Sequence, residues 1–509
     1  VTFYDTMLMP MSSSLVVSNT GVMKRGAYAK FSILPAENTV FVPTEVYDLV
    51  HQGFRRELLK ETEYYSINTQ KITEKLDEQS GAAVNYIFVS DIHSVSLPGN
   101  AGENHRALLL RQLSHLVKMT NENDDIDFVV IGGDLTDGKA STKEKHFEYI
   151  HQGLAPFLDC QKPVFVVFGN HDDNSYPSKL SEVASDKDWN DQLIDKYVNR
   201  TLEDGSVIAV NQDSNDENSK YYYYDIEAKK TRVVCIDGLD YNMEYDENGD
   251  ITKLLDIADA SLPETDFLRY RTARIGYGYS NEQIRWLVNE ALTAGDGWNY
   301  VFFSHAGIDR ETQFGGYTVR NATPFRSIIA AIQNKTTYVN ADLGISVDYS
   351  NTDSQLLAFQ FGHTHTELSL YSEDINLWQI NSSSAKIGGY TTLAGVQNST
   401  INVKSLNWHI YEYARRMLNE GEANFDIMSA TREGVYKMNI GVGVTQKYIN
   451  PQNSIKGDVN LDSNIDICDM VKLAKLSKNN TPLMAMDVDS NQKFEKAVDL
   501  AAIRNMLIS

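Results

Sequence analysis

The chain has 509 residues, 42% hydrophobic and 23% charged, a balance that excludes a disordered or fibrous protein and a length that suggests roughly three domains. Its 46 basic side chains against 69 acidic ones leave a net charge of -23, which disfavours a nucleic-acid polymer as partner because phosphate backbones repel acidic surfaces. The three cysteines, Cys160, Cys235 and Cys468, are too widely spaced for a disulfide framework or a thiolate zinc module, so any metal must be held by His, Asn and carboxylates.

Residues 1–80 read as an N-terminal extension, with a short strand near Ala29–Leu34 and a helical stretch over Thr44–Leu76, broken near Tyr65–Ser66. No apolar run approaches the ~18 residues of a membrane span. Val1 is not an initiator methionine, so the chain reads as trimmed, in keeping with a signal peptide already removed. Over 81–400 the texture changes. Asn85–Ser90, Phe128–Ile131, Pro163–Phe168, Arg232–Ile236, Tyr300–Phe303 and Leu356–Phe361 are short apolar runs, the pattern of strands buried on both faces. Amphipathic helices are expected at Arg106–Met119, Glu144–Phe157 and Asn281–Leu292, and strand–helix alternation indicates an α/β domain. Acidic insertions at Asn211–Asn218 and Asp240–Asp250 read as solvated loops. Residues 401–450 contain a β-hairpin pattern, turning at Glu433-Gly434, that completes or flanks the catalytic domain. A linker at Pro451–Ile455 opens a last module, 451–509.

Polar residues of one chemical kind follow five of the apolar runs. They are Asp91-Ile-His93; Gly132-Gly-Asp134-Leu-Thr-Asp137-Gly138; Gly169-Asn170-His171-Asp172; Ser304-His305; and Gly362-His363-Thr-His365. Ligands of open α/β sheets bind beyond the carboxyl ends of strands, so these five loops are expected to build one site. Imidazole with carboxylate and amide oxygen, and no thiolate, suits Zn, Mn, Fe or Ni. If the segments are extended, alternate residues point the same way, which pairs Asp91 with His93 and His363 with His365. Seven donors exceed the need of one four-coordinate ion, and two divalent ions sharing a carboxylate fit the count better.

In this order and at these strand ends, the five motifs resemble the calcineurin-like metallophosphoesterase superfamily over residues 84–390. The resemblance implies an α/β fold of the α+β type, a four-layer sandwich of two mixed β-sheets flanked by helices. It implies that Asp91, His93 and His365 hold one metal, that Asn170, His305 and His363 hold the second, and that Asp134 bridges them. It implies that His171 is no ligand but contacts the phosphate and protonates the leaving oxygen, and that the Asp137 carboxylate orients His171. The reaction implied is hydrolysis of a phosphoester by a metal-bridged hydroxide. Asp172 and Asp173 read as plain loop carboxylates, and His105, His115, His146, His151 and His409 as core or surface histidines.

The branch is narrower still. Asp137 stands where purple acid phosphatases carry a tyrosine ligand, and Asp137-Gly138-Lys139 replaces the Asp-Arg-Gly of calcineurin-type protein phosphatases. The Gly-Asn-His-Asp form, with Gly278-Tyr-Ser280, Gln283 and Trp286-Leu287, resembles secreted phosphatases and the phosphodiesterase and sphingomyelinase-like branches. A small phosphomonoester or phosphodiester is the expected substrate. Lys139, Arg271, Arg274 and Arg310 are candidates for gripping further substrate charge. A non-enzymatic alternative is a binding protein on the same fold that has lost activity.

Residues 457–469 place oxygen donors at calcium-loop positions: Asp458, Asn460, Asp462, Asn464 and Asp469, with Ile465 as apolar plug and a helix following. A second copy holds Asp487, Asp489, Asn491 and Asp499, with Phe494 as plug; one extra residue puts Val498 at position twelve. The repeat resembles a type I dockerin, a small all-α module. The resemblance implies Ca2+, a cohesin partner on a scaffold, and an extracellular, scaffold-associated location. Ser463 and Gln492 replace the usual loop glycine, so the first loop is expected to bind calcium better than the second.

Overall fold

The computed structural model describes residues 47–50, 53–56, 84–94, 100–174, 180–240, 243–245, 251–254, 277–308, 319–365, 367–382, 384–385, 408–414, 425–432, 434–439, 445–449, 465, 467, 470–471 and 496–508. Three strands open the main body: β1 (Val84–Val89), β2 (Phe128–Ile131) and β3 (Val164–Val166), parallel and in the order β1-β2-β3. Every residue of all three is buried, as the continuous apolar runs require. Helix α1 (Asn100–Asn121) connects the first two, and α2 (Lys143–Leu154) the second pair. Thr142 caps α2 by accepting a hydrogen bond from Lys145 N at 3.2 Å.

Strands β4 (Asn211–Gln212), β5 (Tyr222–Ile226), β6 (Thr231–Cys235), β7 (Asn299–Phe303), β8 (Gln355–Phe361), β9 (Glu367–Ser372), β10 (Leu377–Asn381) and β11 (Trp408–Ala414) form an eight-stranded sheet in the order β11-β9-β10-β8-β7-β6-β5-β4. Its centre, β6-β7-β8-β10, is parallel and its margins are antiparallel. Helices α3 (Asn281–Trp286, continuing as a π turn to Ala291) and α4 (Ala322–Asn334) belong to this half. Finally β12 (Asp426–Ala430), β13 (Gly434–Asn439) and β14 (Thr445–Ile449) add antiparallel to β1 and bring the first sheet to six strands.

The two sheets pack face to face. Phe303 of β7 meets Tyr86 of β1 edge-on at 5.1 Å and Phe88 at 6.0 Å. Val233, Val301 and Phe303 point into this shared core, while their neighbours Val234, Tyr300 and Phe302 enter a second core with Ile284, Leu287, Ile328 and Ile329 of α3 and α4. This period-two alternation between two buried faces leaves no polar face on the central strands. The fold is mixed α/β, with mixed sheets and covering helices.

Three expectations change. Within Thr44–Leu76 the described residues form a β-hairpin, Tyr47–Val50 against Gly53–Arg56, rather than a helix. Gly53 costs a helix interior about 1 kcal/mol relative to Ala, which weakens the helical alternative. Asn211–Asn218 is not simply solvated: Asn211 and Gln212 pair with Tyr223 and Tyr222, and Asp213 is buried, accepting from Tyr221 Oη at 2.9 Å. Within Asp240–Asp250, Met243–Tyr245 pairs with Ile251–Leu254. Ala29–Leu34, Arg271, Arg274, Arg310 and Cys468 lie outside the described residues, as do the calcium-loop residues Asp458, Asn460, Asp462, Asn464, Asp469, Asp487, Asp489 and Asn491. Asp499 is described, buried in the first turn of α5 (Lys496–Ile508).

Candidate metal centre

The five motif loops meet where β1, β2, β3, β7 and β8 end. Backbone bonds tie them together: Asp91 N donates to Gly133 O at 3.0 Å, His93 N to Asp134 O at 2.9 Å, and Gly362 N to His305 O at 3.0 Å. Close approach requires glycine here. A Cβ on Gly169 would clash with Asp134 N and lie 2.6 Å from Asp134 Oδ1; on Gly362 it would clash with Ser90 Oγ and lie 2.6 Å from Asp91 Oδ2.

Asp91, His93, Asp134 and His365 each offer a donor atom, all within 4.8 Å of one another, and Asp134, His305 and His363 form a second such set. Asp134 is common to both. Asn170 joins the second, its Oδ1 3.0 Å from His305 Nε2. Asp91 and His93 fall in one set as expected, but His363 and His365 fall in different sets, and neither segment is an extended chain. Asp91, His93, Asp134, His363 and His365 all have positive φ, half of the ten non-glycine residues that do so among the described residues. Such conformations cost of order 1–3 kcal/mol each and persist where the surroundings over-determine them, as at functional sites.

The proton positions fit cations. His305 Nδ1 donates to Gly132 O at 2.7 Å, so the lone pair on Nε2 faces Asn170 Oδ1, Asp134 Oδ1 at 3.3 Å and His363 Nδ1 at 3.2 Å. His93 Nδ1 lies 2.8 Å from Asp137 Oδ1, and its Nε2 faces His365 Nε2 at 3.1 Å and Asp134 Oδ2 at 3.7 Å. Acceptors facing acceptors repel unless protons or metal ions lie between them. Burial alone would raise the Asp91 carboxyl, yet the charge and hydrogen bond of His365 bring it down to about 2. Burial alone would lower His305, but the Asp134 carboxylate raises it to about 10, so a metal there displaces a proton.

The expected partnership of the Asp137 carboxylate with His171 is corrected. That carboxylate binds His93, and His171 Nδ1 donates instead to the Asp137 backbone carbonyl at 2.9 Å. The turn carries both, since Gly138 has φ 61° and its Cα packs beneath the His171 backbone. His171 Nε2 lies 3.8 Å from Asp134 Oδ2, with the ring partly open to solvent. Asp172 is no plain loop carboxylate either. It is fully buried and accepts from Asp134 N (2.9 Å), Leu135 N (2.7 Å) and Gly169 N (2.8 Å), binding the second and third loops together. Its place directly after His171 was the only signal in the sequence. Ser384 Oγ, donating to Asp91 O at 2.9 Å, had none. Lys139 is exposed.

Two donor sets hinged on one carboxylate, at the convergent ends of a parallel strand array, define a metal-dependent hydrolase. The family comparison gives the particular class: residues 84–309 match the family model described as calcineurin-like phosphoesterase. Residues 84–309 are thus similar to a calcineurin-like phosphoesterase domain, and the chain is a metal-dependent phosphoric ester hydrolase. Among solved structures, a dimetal phosphatase from Danio rerio shares 13% identity, covering 73% of this chain and 100% of that one, with a TM-score of 0.44. GAP50, the anchor in the inner membrane complex of Plasmodium, shares 10% identity over 75% of this chain and 93% of its own, with a TM-score of 0.36. No curated protein matches at comparable significance.

Proposed function

We propose that the chain hydrolyses a small phosphomonoester or phosphodiester at a dinuclear centre. One ion would be held by Asp91, His93 and His365, the other by Asn170, His305 and His363, with Asp134 available to both. The observation that carries this reading is the pair of donor sets sharing Asp134. When bound, two such ions supply Lewis-acid polarisation of the phosphoryl group and activate water.

The protein's own groups do the rest. Gly132 O fixes the tautomer of His305, and the Asp137 carboxylate stands against Nδ1 of His93, so that each Nε2 faces the donor sets. Asp172 fixes the approach of the Asp134 and Gly169 loops. A carbonyl can only accept, so the Asp137 carbonyl keeps a proton on His171 Nδ1; proton delivery from Nε2 to a leaving oxygen therefore requires the imidazolium. The chain, chelated and reloaded with Mn2+ or Zn2+, is expected to turn over bis-p-nitrophenyl phosphate, p-nitrophenyl phosphate or both. No turnover of either with metals confirmed bound contradicts the reading.

The same proposal extends to location. The catalytic unit, 81–400 with 401–450, is secreted and tethered by a dockerin-like module, 451–509, that binds Ca2+ and a cohesin. Its support is the repeated loop-and-helix sequence. Chelation is expected to unfold this small module, reducing helical dichroism and cohesin binding; both unchanged would reject it. Among the described residues no helix is long and apolar enough to cross a membrane.

A further inference from the structure

Two ionisable side chains outside every motif are sealed between the sheets. Asp426 of β12 and Lys437 of β13 pair at 3.1 Å, both side chains at 0% exposure. Removing two charges from water costs several kcal/mol per ion, offset only if the remaining donors and acceptors are also filled. The opposite sheet fills them. Ser382 Oγ and Gln360 Nε2 (3.3 Å) donate to Asp426 Oδ2, and Lys437 Nζ donates to Asn381 O at 3.3 Å.

Asn381 extends the chain of contacts to the metal loop. Its side chain donates to the carbonyls of Gly362 and Phe361 and accepts from Thr364 Oγ1 at 2.5 Å. Gly362–His365 is the loop that bears His363 and His365, at φ 69° and 57°. A loop in so costly a conformation must be held from outside, and the bonds from Asn381 grip it at Gly362 and Thr364 and at the preceding Phe361.

We propose that the Asp426–Lys437 ion pair is a positioning device for the Gly362–His365 loop, which makes the C-terminal hairpin 426–439 part of the metal centre. The inference rests on the dinuclear reading of that centre. An apolar pair of similar volume often serves stability equally well, but it lacks the donor for Asn381 O and the acceptor for Ser382 Oγ.

The test uses the full chain. The double variant Asp426→Asn with Lys437→Met removes both charges and leaves neither uncompensated; Asn381→Leu cuts the relay at its loop end and leaves the ion pair intact. Both are expected to keep wild-type circular dichroism, to bind Co2+ about 10–100-fold more weakly in chelator competition, and to alter its visible absorption. Lys437→Arg, which keeps charge and donor, is expected to restore part of the affinity. Wild-type Co2+ affinity and spectrum in either folded variant overturns the proposal, and Asn381→Leu decides it if the double variant fails to fold. Wild-type chain that takes up fewer than two ions contradicts instead the dinuclear reading, before any variant is compared.

Discussion

A ligating imidazole is oriented by what stands against its other nitrogen, and at His93 the group beside Nδ1 is the Asp137 carboxylate, 2.8 Å away. The same residue's carbonyl holds His171. Alanine at 137 therefore removes the first contact and keeps the second. Asp137→Ala is expected to weaken metal binding by about 10–100-fold. His171→Ala is expected to lower kcat by roughly 100-fold or more with both metals retained. Elemental analysis beside kinetics separates the two. If Asp137→Ala keeps its metals and loses kcat as His171→Ala does, the carboxylate acts through His171 after all. At this scale the convergence of Asp91, His93, Asp134, Asn170, His171, His305, His363 and His365 on one place was legible, because each follows a buried run. The carboxylate's true partner was not, because nothing in Asp134-Leu-Thr-Asp137 says which way the side chain leaves the turn.

Helix α2 shows how an element supports the site without belonging to a motif. Its His146 is fully buried behind the second motif loop, Nε2 donating to Asp172 O at 2.7 Å and Nδ1 3.2 Å from Thr136 Oγ1. Burial lowers its pKa from an ordinary 6.5 to about 4. Between those values the unfolded chain binds the extra proton, so stability from this group is complete above about 6.5 and is lost as pH falls toward 4. The gain is on the order of 3 kcal/mol. His146→Gln is expected to flatten this part of the stability-against-pH curve relative to wild type, measured by urea unfolding between those limits. An identical slope in the variant contradicts the assignment. The sequence placed α2 and the buried strands because their apolar periodicity is local. It gave no sign of Asp426, Lys437 and Asn381 acting together, since those contacts join residues 44 to 66 positions apart and depend on how two sheets face each other.

The charge of the whole molecule has a location. Residues 451–509 hold eight acidic and seven basic side chains, so of the -23 only -1 is theirs and -22 belongs to residues 1–450. A body so acidic presents metal cations rather than a basic surface to a phosphoester, which suits a small substrate better than a nucleic-acid polymer. On the dinuclear reading, this chain's hydrolytic activity depends on two ions sharing Asp134. Titrating the metal-free chain with Mn2+ while following bis-p-nitrophenyl phosphate and p-nitrophenyl phosphate hydrolysis tests it most directly. The expected result is activity that saturates at two ions per catalytic domain and is abolished by Asp134→Ala. Full activity without metal, or none with two ions bound, contradicts it.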